Sequence, residues 1–148
     1  FAKLDAAWRA LPEARRAELE GLRVRHCYRG VGNRLYEAPT AEQLALWDKV
    51  FGPVEHPLVW HRTNGATSMM IGATAYEIVG MDEAESRAFV DELTDYATQD
   101  RFIYRHQWKQ GDVVIFHNPA LLHRSFPYTA QSGRLMHRTT IAGTEKIA

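Results

Sequence analysis

The period of the hydrophobic pattern changes several times along the chain. Leu4, Ala7, Trp8 and Leu11 recur at helical spacing, and Pro12 interrupts them at a place that suits the first turn of a new helix. The pattern therefore predicts one helix up to Pro12 and a second over 13–20, with Gly21 at its C-cap. From Leu22 the period becomes two. Leu22, Val24, His26 and Tyr28 alternate with Arg23, Arg25, Cys27 and Arg29, as in a half-buried strand. Gly30, Gly32 and Asn33 then make 30–39 read as a loop. Thr40 with Gln43 caps a short helix through Val50, which Gly52 and Pro53 close.

Asn64-Gly65, between the runs 57–63 and 66–72, predicts a tight hairpin. Asp82 with Glu85 opens a helix striped by Phe89, Leu93, Tyr96 and Ala97 and ending near Thr98. The last third reads as all strand: Phe102, Tyr104, His106 and Trp108 alternate with polar neighbours, Gly111-Asp112 turns the chain into 113–116, and 121–126 and 134–141 follow. These elements predict a mainly β chain with helices, an α+β jelly roll or sandwich with the helices laid against one sheet. No repeat or compositional shift divides it, so 1–148 is expected to be a single domain.

Composition narrows the partners. The 148 residues carry 18 Lys and Arg against 18 Asp and Glu. Zero net charge removes the broad electrostatic attraction on which non-specific nucleic-acid or anionic-membrane binding rests. Cys27 stands alone, which excludes an internal disulfide or a thiolate zinc cluster and fits a reducing compartment, so the cytoplasm is the expected location. No apolar run approaches the ~18 to 20 residues that span a bilayer. The chain opens at Phe1 inside what reads as helix, as though a longer sequence had been cut.

Seven histidines invite a search for metal sites, but H-E-x-x-H, C-x-x-C, P-loop, nucleophile-elbow and dinucleotide-binding motifs are all missing. A lone histidine on a strand is more often packed and hydrogen-bonded than a ligand, and His26, His56, His61, His106, His117 and His137 are assigned that role. One cluster stands out, from Asn118 through Thr140. On a strand over 134–141, Arg134, Met136, Arg138 and Thr140 share a face, with the two arginine Cα atoms about 13 Å apart at ~3.3 Å per residue. Two cations in a closed cavity would need carboxylates, as small acids provide. The same pattern fits an exposed face with solvated arginines equally well.

The ordered set HPLVW, NG, IVGM, YRHQWKQGDVVIF, LHR and GRLMHRTTIAG, preceded by LPEARRAELEGLRVRH, resembles the C-terminal part of the TauD/TfdA class, the taurine / 2,4-dichlorophenoxyacetate type of Fe(II)- and 2-oxoglutarate-dependent dioxygenases. The resemblance covers most of the chain. It implies a double-stranded β-helix in which a His-x-Asp/Glu pair and a distal histidine hold Fe(II), leaving positions for 2-oxoglutarate and O2. It places His123 at the distal iron ligand. Arg134, eleven residues later, falls at the position that pairs with the distal carboxylate of 2-oxoglutarate, and Arg138 at one that meets the acidic group of a small substrate. The implied reaction oxidises that substrate, typically by hydroxylation, and releases succinate and CO2.

The chain also departs from the class. Phe116-His117-Asn118-Pro119 stands where Trp-Asp-Asn-Arg is common, and Thr74 stands where phenoxyalkanoate-type members often carry a histidine near the substrate. No His-x-Asp or His-x-Glu occurs, so the chain offers one iron ligand of three. The expectation is therefore a C-terminal portion of a dioxygenase catalytic domain, inactive alone, with unpaired sheet edges that homo-oligomerise or aggregate unless another chain or segment covers them. A noncatalytic jelly-roll module binding a small carboxylic acid, or a structural subunit, would be the alternatives.

Overall fold

The computed structural model describes residues 1–147, apart from the side chains of Asn33, Arg34 and Ala130. A short strand, β1 (Ala2–Lys3), leads into α1 (Leu4–Ala10), which buries Leu4, Ala7 and Trp8. Pro12 breaks the helix as its ring requires and caps α2 (Glu13–Leu19). Gly21 then takes a positive φ of 79°, the left-handed turn that lets the chain leave the helix and enter β2 (Arg23–His26).

Beyond β2 the expected loop is a helix, α3 (Tyr28–Leu35). Two causes, one local and one from packing, oppose the turn preference of its glycines. The Cys27 sulfur accepts the Arg29 backbone N–H at 3.2 Å and so caps the helix. Gly30 and Gly32 serve as gaps for packing: a Cβ at Gly30 would lie 2.7 Å from the Thr74 carbonyl oxygen, and one at Gly32 would run into the Trp47 ring. That ring belongs to α4 (Ala41–Val50), which opens with the Thr40–Gln43 capping box read from the sequence.

The β3 strand (Val54–Pro57) and the β6 strand (Ala75–Ile78) flank β2 in a three-stranded antiparallel sheet, ordered β3–β2–β6. Val24 faces the core between His56 and Ile78. Arg25 points to the other side, where its register partners Glu55 and Glu77 both pair with it. The predicted hairpin forms from β4 (Val59–His61) and β5 (Thr67–Met69). Gly65 supplies the one left-handed residue of its turn, at φ 81°, while Asn64 accepts the Ala66 N–H. The Asp82–Glu85 capping box opens α5 (Glu83–Ala97), whose Val90, Leu93 and Ala97 join Leu4, Leu19, Leu58, Met69 and Ile78 in the core. Among the described residues no helix is long and apolar enough to cross a membrane.

The last third corrects the sequence expectation. The chain mixes helix and strand as an α+β fold does, and the strands of the described residues lie in three small sheets. After Ile103, which bridges to Ala2, the only strand among the described residues is β7 (Leu121–Leu122), paired with β1. The turn at Gly111-Asp112 forms, with Asp112 N–H donating to the Lys109 carbonyl at 3.1 Å. The runs 113–116 and 134–141, expected as strands, have no sheet partner among the described residues. Val113, Ile115, Leu135 and Ile141 are 82%, 92%, 78% and 90% exposed. Alternation decides which side of a strand a residue occupies, but a strand also needs a neighbour for its N–H and C=O groups. None of the described segments provides one here.

Candidate functional site

The position of His123 follows from its anchors. A 3-10 turn at Asn118–Ala120 buries Ala120, Ser68 donates to the Pro119 carbonyl at 3.3 Å, and β7 pairs in register Ala2 with Leu122. His123 is the first residue past that pairing. Its imidazole lies 5.1 Å from the Phe116 ring and 6.3 Å from Phe1, centroid to centroid. Partial desolvation, then the nearby charges of Arg138 and the amino terminus, lower its pKa and favour neutral imidazole, the form that can donate a lone pair to a metal.

Gly133, left-handed at φ 62°, turns the chain into Arg134, whose N–H donates to Ser132 Oγ at 3.3 Å. The Arg134 guanidinium lies over two aromatic faces, 5.0 Å from the Tyr128 centroid and 5.9 Å from that of Trp108. Its Nε is buried and makes no hydrogen bond. Arg138 is exposed, with Met136 and Thr140. The structure thus brings His123 and Arg138 within electrostatic reach of each other. Arg134 sits on its own aromatic shelf, and among the described residues no hydrogen bond, ion pair or ring contact joins it to His123. A surface hollow of about 250 Å³, lined by Arg29, Tyr76, Glu77, Met81 and Glu83, shares none of these residues.

Several histidines have other partners. His61 lies between Thr67 and Glu20, and His106 between Tyr104 and Asp112. Buried His26 has its Nδ1 3.0 Å from Thr74 Oγ1, its ring 5.8 Å from that of His56, and its Nε2 without a hydrogen bond. Desolvation first, and His56 second, lower its pKa to about 4, against a smaller opposing pull from the Met70 backbone. His117 accepts from Arg62 Nη1 at 3.0 Å. Arg62, only 9% exposed, is a residue that sequence reasoning missed, because a position beside an Asn-Gly turn is ordinarily solvated. The Trp108–Tyr128 shelf was missed too, since no spacing rule links positions twenty residues apart on unpaired segments.

Residues 1–140 match the model of the family described as taurine catabolism dioxygenase TauD, TfdA family. The chain belongs to the TauD, TfdA family. Similar members include an alpha-ketoglutarate-dependent 2,4-dichlorophenoxyacetate dioxygenase of Burkholderia sp. (strain RASC), 37% identical over 97% of this chain and 48% of its own length. A (S)-phenoxypropionate/alpha-ketoglutarate-dioxygenase of Delftia acidovorans is 35% identical over 97% of this chain and 50% of its own. Among solved structures, AAD-2 in complex with Mn(II) and N-oxalylglycine superposes with a TM-score of 0.64 at 30% identity, covering 73% of this chain and 42% of that one. The chain therefore spans about half the length of the TauD, TfdA relatives it matches.

Proposed function

We propose that these residues are the C-terminal portion of the catalytic domain of an Fe(II)- and 2-oxoglutarate-dependent dioxygenase, which uses O2 to oxidise a small acidic organic substrate and releases succinate and CO2. The observation that carries this reading is the family match over residues 1–140, with relatives named as alpha-ketoglutarate-dependent dioxygenases. Bound iron would supply the redox chemistry that couples 2-oxoglutarate decarboxylation to oxidation of the substrate.

In this reading His123 gives one imidazole to the metal, and its lowered pKa suits that task. Arg134 places its fork on the distal carboxylate of 2-oxoglutarate, and its buried, unpaired Nε is a donor in need of such an acceptor. The aromatic faces of Trp108 and Tyr128 hold the guanidinium for that contact. Arg138, exposed and close to His123, meets the acidic group of the substrate. Among the described residues no group of three His, Cys, Asp or Glu could hold a metal. His123 is thus one ligand of an incomplete set, and the rest of the domain supplies the other two together with the strands that complete a double-stranded β-helix. Alone, the chain would bind iron weakly or not at all. Buried, unpaired Cys27 fits the cytoplasm as the site of action.

Calorimetric titration of 2-oxoglutarate into the intact protein, with and without Fe(II) under anaerobic conditions, tests the reading. Binding that requires the metal is the expected result. Metal-independent binding would instead favour a noncatalytic acid-binding module, and no binding in either condition would favour a structural subunit.

A further inference from the structure

Arg62 closes the β4–β5 hairpin, where its backbone N–H donates to the Ala66 carbonyl and its own carbonyl accepts from Gly65, both at 2.9 Å. The residue as a whole is only 9% exposed. A guanidinium carries five N–H donors and no acceptor. Here Nη1 donates to His117 Nδ1, which must therefore be unprotonated, and Nε is buried without any partner. Other arginines of the fold have carboxylate partners: Arg23 and Arg25 pair with Glu55 and Glu77, and Arg15 with Glu18 and Glu92. Among the described residues no carboxylate forms an ion pair with Arg62. Glu145, which reaches this hairpin, accepts from the backbone N–H of Thr63 instead, at 2.5 Å.

An arginine enclosed to this degree without a counter-charge loses more by desolvation than one neutral imidazole returns. We infer that Arg62, oriented by His117, binds a carboxylate-class anion that the described residues do not supply. The same chemistry can come from a free small acid or from an Asp or Glu side chain elsewhere in the intact protein. Neither source involves iron or 2-oxoglutarate turnover, so the inference stands or falls separately from the proposed reaction.

The test compares Arg62→Met and Arg62→Lys in the intact protein by thermal unfolding, in buffer alone and with increasing phenoxyacetate or its neutral counterpart phenoxyethanol. Lysine keeps the charge, whereas methionine keeps only an apolar stem. If an anion is bound, Arg62→Lys melts above Arg62→Met by roughly 4 °C. A gap present in plain buffer and insensitive to phenoxyacetate assigns the anion to the protein. A gap that opens as phenoxyacetate is added, and not with phenoxyethanol, assigns it to a free acid. Arg62→Met melting at or above both Arg62→Lys and the parent would overturn the inference, because a cation without a counter-charge is better removed. Equal unfolding of both variants, including failure of both to fold, would also overturn it, since lysine should preserve part of the pairing.

Discussion

His26 at the end of β2 and Thr74 just before β6 tie these neighbouring strands together: the imidazole Nδ1 lies 3.0 Å from the threonine hydroxyl, and Thr74 also receives the Cys27 N–H on its carbonyl at 3.0 Å. Burial first, and the neighbouring His56 second, hold this histidine neutral. With its pKa lowered to about 4, His26 takes up a proton in the unfolded chain near pH 6.5 but not in the folded one until far lower. The sign follows. Stability from this group is complete above about pH 6.5 and falls as the pH drops toward 4, by about 1.4 kcal/mol per pH unit and about 3 kcal/mol in all. Urea unfolding of the intact protein and of His26→Gln between pH 7 and 4 should show the steeper acid loss only in the parent. Parallel curves would contradict the burial argument.

Gly32→Ala probes the close approach of α3 and α4. The added Cβ would run into the Trp47 ring, and that ring is held between Tyr28 and Tyr36, 6.1 and 5.7 Å away. Overpacking of this kind costs typically 1–3 kcal/mol, so we expect the unfolding free energy to fall by about 2 kcal/mol, seen as a lower urea midpoint with the m-value unchanged.

The segments 113–116 and 134–141 should distinguish the chain alone from the intact protein. In the 148-residue chain their amides have no sheet partner, and hydrogen exchange should be complete within seconds. In the intact protein the proposed β-helix pairs them, and exchange should slow by orders of magnitude. Equal exchange in the two would remove the claim that these residues are strands awaiting neighbours.

How much of this was legible in the sequence depends on whether the cause was local. The Thr40–Gln43 and Asp82–Glu85 boxes, the Pro12 break and the Asn64-Gly65 turn are each decided within about four residues, and all formed as expected. The glycines of α3 misled because their reason lies in Trp47 and Thr74, far along the chain. The last third misled because alternation reports a strand's faces but not its neighbours. At the candidate site, the sequence singled out His123, Arg134 and Arg138 by family resemblance, yet the aromatic shelf under Arg134 and the enclosure of Arg62 arise only from tertiary packing.

Arg138→Ala should act on the substrate and not on the cosubstrate. Loss of one charge-assisted contact of about 1.5–3 kcal/mol predicts a KM for the acidic substrate raised roughly 10- to 100-fold in the intact enzyme, with 2-oxoglutarate affinity unchanged. A matching fall in 2-oxoglutarate affinity would place Arg138 in the cosubstrate site instead.

The most direct test is the affinity of the iron-loaded intact protein for 2-oxoglutarate after Arg134→Ala. If this guanidinium forks onto the distal carboxylate, calorimetry should find binding reduced at least about 100-fold, with partial recovery in Arg134→Lys. An unchanged Kd in Arg134→Ala would contradict the assignment.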